Sequence, residues 1–198
     1  LAGGKSIIVP TKEEASFIPD AHQLESFYTS NTKALLINSP SNPTGILYPM
    51  EVLQELASFA DRHNLLVISD EIYDKLLYDG RKFTPFAALP GMKDRTIIVN
   101  GVSKTYAMTG LRIGYMACTN SSLVKATTNI QSQSTSNPNN TAQAAAVEAL
   151  TGPQDEVEQM RAVFERRRNL MIEELSKIDG LSAIKPDGAF YVFVNVSK

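Results

Sequence analysis

Short aliphatic runs alternate with longer segments of helical periodicity over the first 120 residues of the chain. The runs predict strands at 6–9, 34–38, 65–69, 96–100 and 113–118. Between the second and third runs, residues 49–63 carry apolar side chains three and four positions apart, and Pro49 suits a first helical turn. Strands that alternate with helices are typical of parallel sheets. We therefore predict an α/β fold with a mainly parallel sheet.

The second part of the chain has a helical pattern. Helices are predicted over 121–133, 141–150 and 154–180. The last of them is long and amphipathic, begins with acidic residues and is expected to stop at Gly180. Beyond it, residues 181–196 predict one further strand.

The long helix also suggests a division into domains. We expect residues 1–152 to form part of a large domain, 153–180 to join two domains, and 181–198 to begin a small α/β domain. The start lacks a capped element and the end is strand-like, so we expect the sequence to be a piece of a longer protein.

Composition excludes several classes of function. The net charge of -2 offers no broad basic surface, so neither nucleic acid nor an anionic membrane is an expected partner. No apolar run has membrane-spanning length. A single cysteine, Cys118, favours a reducing cytoplasm, and two isolated histidines make a zinc cluster unexpected, so no metal is predicted.

Polar sequence follows three of the predicted strands. The second strand runs into SPSNPTG, the third into DEIYD and the fourth into GVSK. Because ligands bind beyond the carboxyl ends of parallel strands, Asn42, Asp70 and Lys104 are expected along one edge of the sheet. Each alone has an ordinary interpretation: a proline turn, a helix N-cap and a solvated lysine. Their convergence favours a site.

Lys104 is the only fully charged side chain between Arg95 and Arg112. A lysine amine without an acidic neighbour can lose its proton and form a Schiff base with a carbonyl. If the carbonyl belongs to pyridoxal 5′-phosphate, the pyridine nitrogen needs a carboxylate, which Asp70 can supply. Tyr73, on the same side if residues 71–76 are helical, would donate to the ring's phenolic oxygen, and Arg112 would hold the phosphate.

Four motifs carry a family resemblance: NSPSNPTG at 38–45, SDEIYDKLLYDG at 69–80, SKTYAMTGLRIGY at 103–115 and KPDGAFY at 185–191. In order and spacing they resemble the pyridoxal-phosphate-dependent aminotransferases of classes I and II, which have the fold type I architecture. The resemblance covers essentially the whole chain. It is strongest to the bacterial and archaeal aspartate aminotransferase subgroup, because of VNGVSK and AMTG.

The resemblance implies a role for each candidate residue. Lys104 would form the Schiff base and shuttle a proton between the substrate's α-carbon and the cofactor. Asp70 would pair with the pyridinium, Tyr73 and Asn42 would contact the phenolic oxygen, and Arg112 the phosphate. Asn42 would also contact the substrate carboxylate, and its bond to the following proline is expected to be cis.

The resemblance also implies amino-acid and 2-oxo-acid substrates, with aspartate or a similar donor, and a homodimer with the site at the subunit interface. Gly101 stands where many members carry a phosphate-binding serine, so either its backbone amide substitutes or the phosphate is held more weakly. Leu111 replaces a common tryptophan. The family's N-terminal arm, early phosphate loop, ring-stacking aromatic and carboxylate-binding C-terminal arginine have no counterpart here, so we expect this chain alone to be inactive.

Other interpretations remain at this stage. A β-lyase or synthase on the same fold would keep Lys104, as could a non-catalytic sensor domain of a transcriptional regulator. The stretch GGKS at 3–6 lacks the earlier glycine of a phosphate loop. Asp70, Glu71 and Asp74 offer at most a weak Mg²⁺ site, because a helix would separate the first two.

Overall fold

The computed structural model describes residues 3–197, and its central feature is a four-stranded sheet in the order β1-β2-β3-β4. The strands are β1 (Ala34–Asn38), β2 (Leu66–Asp70), β3 (Thr96–Gly101) and β4 (Gly114–Ala117). The first three are parallel and β4 runs antiparallel to β3. The predicted α/β fold with a mainly parallel sheet is therefore confirmed.

Residues 3–197 contain five α-helices: α1 (Ala21–Phe27), α2 (Met50–Arg62), α3 (Ser121–Ser134), α4 (Asn140–Thr151) and α5 (Asp155–Leu175). Side-chain caps begin three of them, since the residues before α1, α3 and α4 are Asp20, Asn120 and Asn139, and each accepts a backbone N–H bond from the first turn. The long helix ends at Leu175, five residues before the predicted stop at Gly180. Within residues 3–197, no helix is long and apolar enough to cross a membrane.

Helix α2 forms the main core by packing against one face of the sheet. Its buried side chains recur at helical spacing: Leu53, Leu56, Ala57, Phe59 and Ala60. They meet Ile37 of β1 and Val67 of β2, which alternate with exposed neighbours along their strands. This packing fixes the register in which Asn38 lies beside Asp70, so the two carboxyl ends are level.

The opposite face of the sheet is apolar but exposed, and we refer to Leu36, Leu66 and Val99 as the open face. Their exposed fractions are 68%, 43% and 40%. Because side chains alternate along a strand and Asp70 pairs with Val99, the Asp70 side chain belongs to this same face. The candidate site therefore lies at the carboxyl end of the open face.

Two local predictions were wrong. The first is the strand at 6–9: these residues form no strand, and Ile7 and Ile8 are exposed, since β propensity needs a neighbouring strand. Residues 71–76, for which a helix was only a condition, form successive turns, with bonds from Asp74 N to Glu71 O and from Leu76 N to Tyr73 O.

The second wrong prediction is the single strand over 181–196. Only β5 (Ser182–Ala183) and β6 (Val194–Asn195) form there, paired antiparallel with each other. Between them, the N–H groups of Asp187 and Gly188 both donate to the carbonyl of Gly45, at 2.9 Å each. These bonds hold the segment against the turn after β1 and leave it out of a regular ladder.

Two arginines of α5, Arg161 and Arg168, bind the loop after residue 76. Arg168 is 5% exposed, and its guanidinium donates to both carboxylate oxygens of Asp79, at 2.8 and 2.9 Å, and to the Pro186 carbonyl. Arg161 donates to the carbonyl of Leu77 at 3.1 Å.

The division into domains at 152 and 180 stays a prediction.

Candidate active site

The turn after β1 is anchored by one side chain, Asn38. Its amide nitrogen donates to the carbonyl of Asp70 at 3.2 Å, and its amide oxygen accepts the N–H of Asn42 at 2.7 Å. Asn42 is exposed, and its bond to Pro43 is cis, as predicted. Asn38 thus brings Asn42 and Asp70 to the same edge of the sheet.

Asp70 is the last residue of β2 and is half-buried. One of its carboxylate oxygens accepts the backbone N–H of Ile72 at 3.2 Å, which fixes the side chain across the first turn after the strand. The turn that follows leads to Tyr73. A carboxylate held in this way can pair with a cationic ring nitrogen.

Tyr73 is 2% exposed, and its hydroxyl lies 2.7 Å from the hydroxyl of Tyr191. Its ring meets the edges of Phe190 and Tyr191, with centroids 5.5 and 5.8 Å away. Burial raises the pKa of Tyr73, and the bond to Tyr191 raises it further. The hydroxyl therefore keeps its proton at neutral pH and can donate it.

Lys104 lies in the loop that follows β3. Its Nζ is 5.3 Å from the centroid of the Phe190 ring, and within residues 3–197 it forms no ion pair. The next residue, Thr105, is buried and donates a long hydrogen bond of 3.4 Å to Asp74. Lys104 is therefore held in place by its neighbour, while its own amine stays available.

Asp74 ties the lysine loop to the segment that carries Tyr73. Burial raises the pKa of its carboxyl, and the nearby Lys75 and the Asn100 amide oppose that shift. Asn100 is itself buried at the end of β3. The segments that carry Tyr73 and Lys104 are thus joined by the hydrogen bond between Thr105 and Asp74.

Gly101 pairs with Gly114 at the start of β4. A Cβ atom there would be 2.8 Å from the Ile113 carbonyl and 3.1 Å from Gly114, so a serine would not fit without movement. The Gly101 N–H already donates to the Asn100 side chain at 2.7 Å. Of the two expectations for this position, these contacts favour the weaker phosphate grip.

Arg112 precedes β4 with a left-handed backbone, and its side chain is exposed. One guanidinium nitrogen donates to the carbonyl of Thr109 at 2.9 Å. The pairing of Gly101 with Gly114 brings the start of β4 to the edge where Lys104 follows β3. Contacts do not join the Arg112 side chain to the other candidate residues within the described chain.

Glu71, named above as a weak Mg²⁺ ligand, turns into the protein. One carboxylate oxygen accepts from the Ser69 hydroxyl and from the Phe86 N–H, each at 3.0 Å, and burial raises the pKa of the group. No group of three or more His, Cys, Asp or Glu that could hold a metal is found between residues 3 and 197. Glu71 instead fastens the loop before Phe86.

Phe190 and Tyr191 are site residues that the sequence analysis did not single out. They lie in the KPDGAFY motif, more than 85 residues after Lys104, and the motif was the only signal for them. In the structure both contact Tyr73, and Phe190 also lies against Lys104. Phe190 therefore contacts two of the candidate residues.

The donor set fits pyridoxal phosphate. A carboxylate, a protonated phenol and a lysine that forms no ion pair within residues 3–197 lie along the same edge of a mainly parallel sheet, and a guanidinium lies near its last strand. These are the groups that a pyridine nitrogen, a phenolic oxygen, an aldehyde and a phosphate each require. The chemistry of the residues thus agrees with the expected cofactor.

Comparison with known proteins gives the same family. The whole chain, residues 1–198, matches the family model for aminotransferase class I and II. The aspartate aminotransferase of Bacillus subtilis (strain 168) is 47% identical over 100% of this chain and 50% of its own length. The asparagine–oxo-acid transaminase of Streptococcus mutans serotype c is 45% identical over 98% of this chain and 50% of its own.

Among solved structures, the aromatic aminotransferase from Pyrococcus horikoshii OT3 superposes with a TM-score of 0.93 at 42% identity, over 98% of this chain and 52% of that one. The chain spans about half the length of the relatives that it matches. The match along every residue, together with the fold, identifies the family. The chain belongs to the class I and II aminotransferases.

Proposed function

We propose that the whole protein moves an amino group between an amino acid and a 2-oxo acid, with pyridoxal phosphate bound to Lys104. The observation that carries this proposal is the convergence at one sheet edge. Asp70 ends β2, Asn42 is held to it through Asn38, and the Phe190 ring lies against both Tyr73 and Lys104. Family membership over the full chain supports the same activity.

When bound, the cofactor would supply an electron sink that stabilises negative charge at the substrate's α-carbon. Lys104 binds the cofactor and, once released, moves the proton at that α-carbon. Its Nζ lies against the Phe190 ring, which also contacts Tyr73. Asp70 holds the proton on the pyridine nitrogen.

The remaining residues orient the cofactor and the substrate. The Tyr73 hydroxyl donates a hydrogen bond to the phenolic oxygen. The exposed amide of Asn42 contacts the same oxygen and the substrate carboxylate. Arg112 binds the phosphate, for which its free guanidinium nitrogens are suited. With Gly101 in place of a serine, Arg112 carries a larger share of that contact.

For the substrate we propose aspartate or a similar amino acid. Aspartate aminotransferase is the name of the Bacillus subtilis relative, while other relatives are named for asparagine or aromatic amino acids. A homodimer in the cytoplasm, with the site at the subunit interface, completes the proposal. The large domain, the joining helix and the small domain keep the boundaries predicted above.

The test uses a protein of the relatives' full length that carries this chain. With pyridoxal phosphate it should develop a visible absorption band, and Lys104→Ala should abolish the band and lower transamination by at least about 10²- to 10⁴-fold, the usual contribution of a general base. The control is Lys93→Ala, an exposed lysine elsewhere, which should keep both.

Three outcomes would contradict the proposal. A colourless parent would exclude the cofactor. A coloured parent that releases ammonia or pyruvate from its amino acid would be a lyase. A coloured parent that turns over no amino acid from a broad panel would favour a sensor.

A further inference from the structure

The contact between two hydroxyl groups, those of Tyr73 and Tyr191, has no role in the function proposed so far. They lie 2.7 Å apart, and 118 positions separate them in the chain. Both rings pack against Phe190, and Tyr73 is almost fully buried. Since Tyr73 is buried, its hydroxyl depends on nearby groups for its hydrogen bonds.

Backbone bonds fix this distance from both sides. Two residues before Tyr191, the N–H of Ala189 donates to the carbonyl of Leu76 at 2.9 Å, and Leu76 itself donates to the carbonyl of Tyr73. The hydroxyl of Tyr78 also donates to the Ala189 carbonyl. The main chains around both hydroxyls are therefore bonded to each other within three residues of each ring.

The segment that carries Tyr191 is also held at its start. The carbonyl of Pro186 accepts from the buried Arg168 at 2.8 Å, and the carbonyl of Asp187 accepts from Tyr78 N at 2.9 Å. A carboxylate oxygen of Asp187 accepts from Leu47 N at 3.1 Å. The segment that carries Tyr191 is thus bonded to the turn after β1, to the segment after β2 and to helix α5.

Counting protons decides what such a pair can do. A phenol has one hydrogen to donate and can accept two bonds, so only one of the two hydroxyls can donate in the shared bond. If Tyr73 donates, no hydrogen is left for another oxygen. If Tyr191 donates, Tyr73 keeps its hydrogen for a further acceptor.

We propose that Tyr191 is a positioning residue that donates to the Tyr73 hydroxyl and so directs the Tyr73 hydrogen toward the phenolic oxygen of the cofactor. This inference rests on the proposed function, because it needs that oxygen as the acceptor. It adds a residue from the segment after the long helix to the control of the cofactor. Phe190 and the backbone bonds set the distance, and the Tyr191 hydroxyl sets the direction.

The test is a double-mutant cycle in the full-length protein, with Tyr73→Phe, Tyr191→Phe and the double variant. The first readout is the affinity for pyridoxal phosphate, measured by the visible band. Tyr191→Phe should weaken it about 3- to 10-fold, the range for one hydrogen bond. The double variant should be no weaker than Tyr73→Phe, because a residue that acts through Tyr73 has nothing left to direct.

The second readout is the pH midpoint of the visible band. A hydrogen bond to the anionic phenolic oxygen stabilises the deprotonated form, so its loss raises the midpoint. Tyr191→Phe should raise it in the same direction as Tyr73→Phe and by less. Tyr28→Phe, which removes a hydroxyl from a ring stacked on His63, is the control and should leave affinity and midpoint unchanged.

The outcomes separate the two levels of the proposal. A parent without a visible band would overturn the proposed function and this inference together. A normal band with unchanged midpoint and affinity in Tyr191→Phe would overturn the inference alone. Effects of the two substitutions that simply add would also overturn it, since they would give Tyr191 a structural role independent of Tyr73.

Discussion

The carboxyl edge of the sheet is joined by hydrogen bonds between distant segments, whereas the open face leaves apolar side chains exposed. At the edge, three distant segments are bonded to one another through Gly45, Leu76 and Asp187. On the open face, Leu36 and Leu66 remain exposed although their type is usually buried. Backbone bonds join the segments of the edge, whereas apolar side chains of the face lie exposed.

This difference bears on the site, because Asp70 belongs to the open face. Its backbone is held by the hydrogen-bonded edge, while its side chain shares a surface with Val99. Atoms that covered the apolar part of this face would also enclose Asp70. The chain spans about half the length of its relatives. A segment that covered the open face next to Asp70 would also help to enclose the candidate site.

The largest effect is expected at the edge, from Gly188→Ala. The added Cβ would lie 2.6 Å from the Leu76 carbonyl and 2.9 Å from Pro40, both parts of the bonded segments. We expect the free energy of unfolding to fall by about 1–3 kcal/mol, the usual cost of overpacking. Chemical denaturation measures it, and Gly110→Ala, where a Cβ meets nothing within 4 Å, is the control. Equal stability of the two variants would mean that the edge is loosely held.

A smaller effect is expected from Asp79→Asn, which weakens the bond between α5 and the edge. The Arg168 guanidinium lowers the pKa of Asp79 to about 2, from an ordinary value of 3.8. A depressed pKa in the folded state means that the stabilisation is complete above the unfolded value and is lost as the pH falls toward the folded one. Because Asp79 is partly exposed, we expect a loss of only about 1 kcal/mol at pH 7.

The pH dependence is the sharper part of this second prediction. The stability difference between the native chain and Asp79→Asn should shrink between pH 4 and pH 2, the window set by the two pKa values. Urea unfolding at a series of pH values measures it, with the exposed Asp94→Asn as the control. A difference that stayed constant over this window would exclude the ion pair as its cause.

The smallest effect is expected on the open face, from Leu36→Thr. Leu36 is exposed in this chain, so the substitution should change the free energy of unfolding by no more than about 0.5 kcal/mol. In a protein of the relatives' full length the same substitution should cost more, about 2–5 kcal/mol if the leucine becomes fully buried. Equal small costs in both proteins would show that the face stays open.

Patterns along the chain predicted the parallel strands, α2 and the candidate residues Asn42, Asp70 and Lys104, because hydrophobic periodicity and the ends of strands are local features. The run at 6–9 was wrong, since a strand needs a partner and none pairs with it among residues 3–197. The conformation of residues 71–76 was left open as a condition, and turn bonds of the i to i+3 type form there in place of a regular helix.

By itself, the sequence determined the fold class, the family resemblance and the chemistry of the donor set, because these depend on residue types and on spacings within short segments. Only the tertiary structure decided that Tyr191 meets Tyr73 and that Phe190 lies against Lys104. It also decided that Arg168 donates to the carbonyl of Pro186, in the segment before Phe190. Such contacts join residues about 20 to 120 positions apart. They depend on backbone bonds and packing between segments, and no local pattern encodes which distant partner a side chain will find.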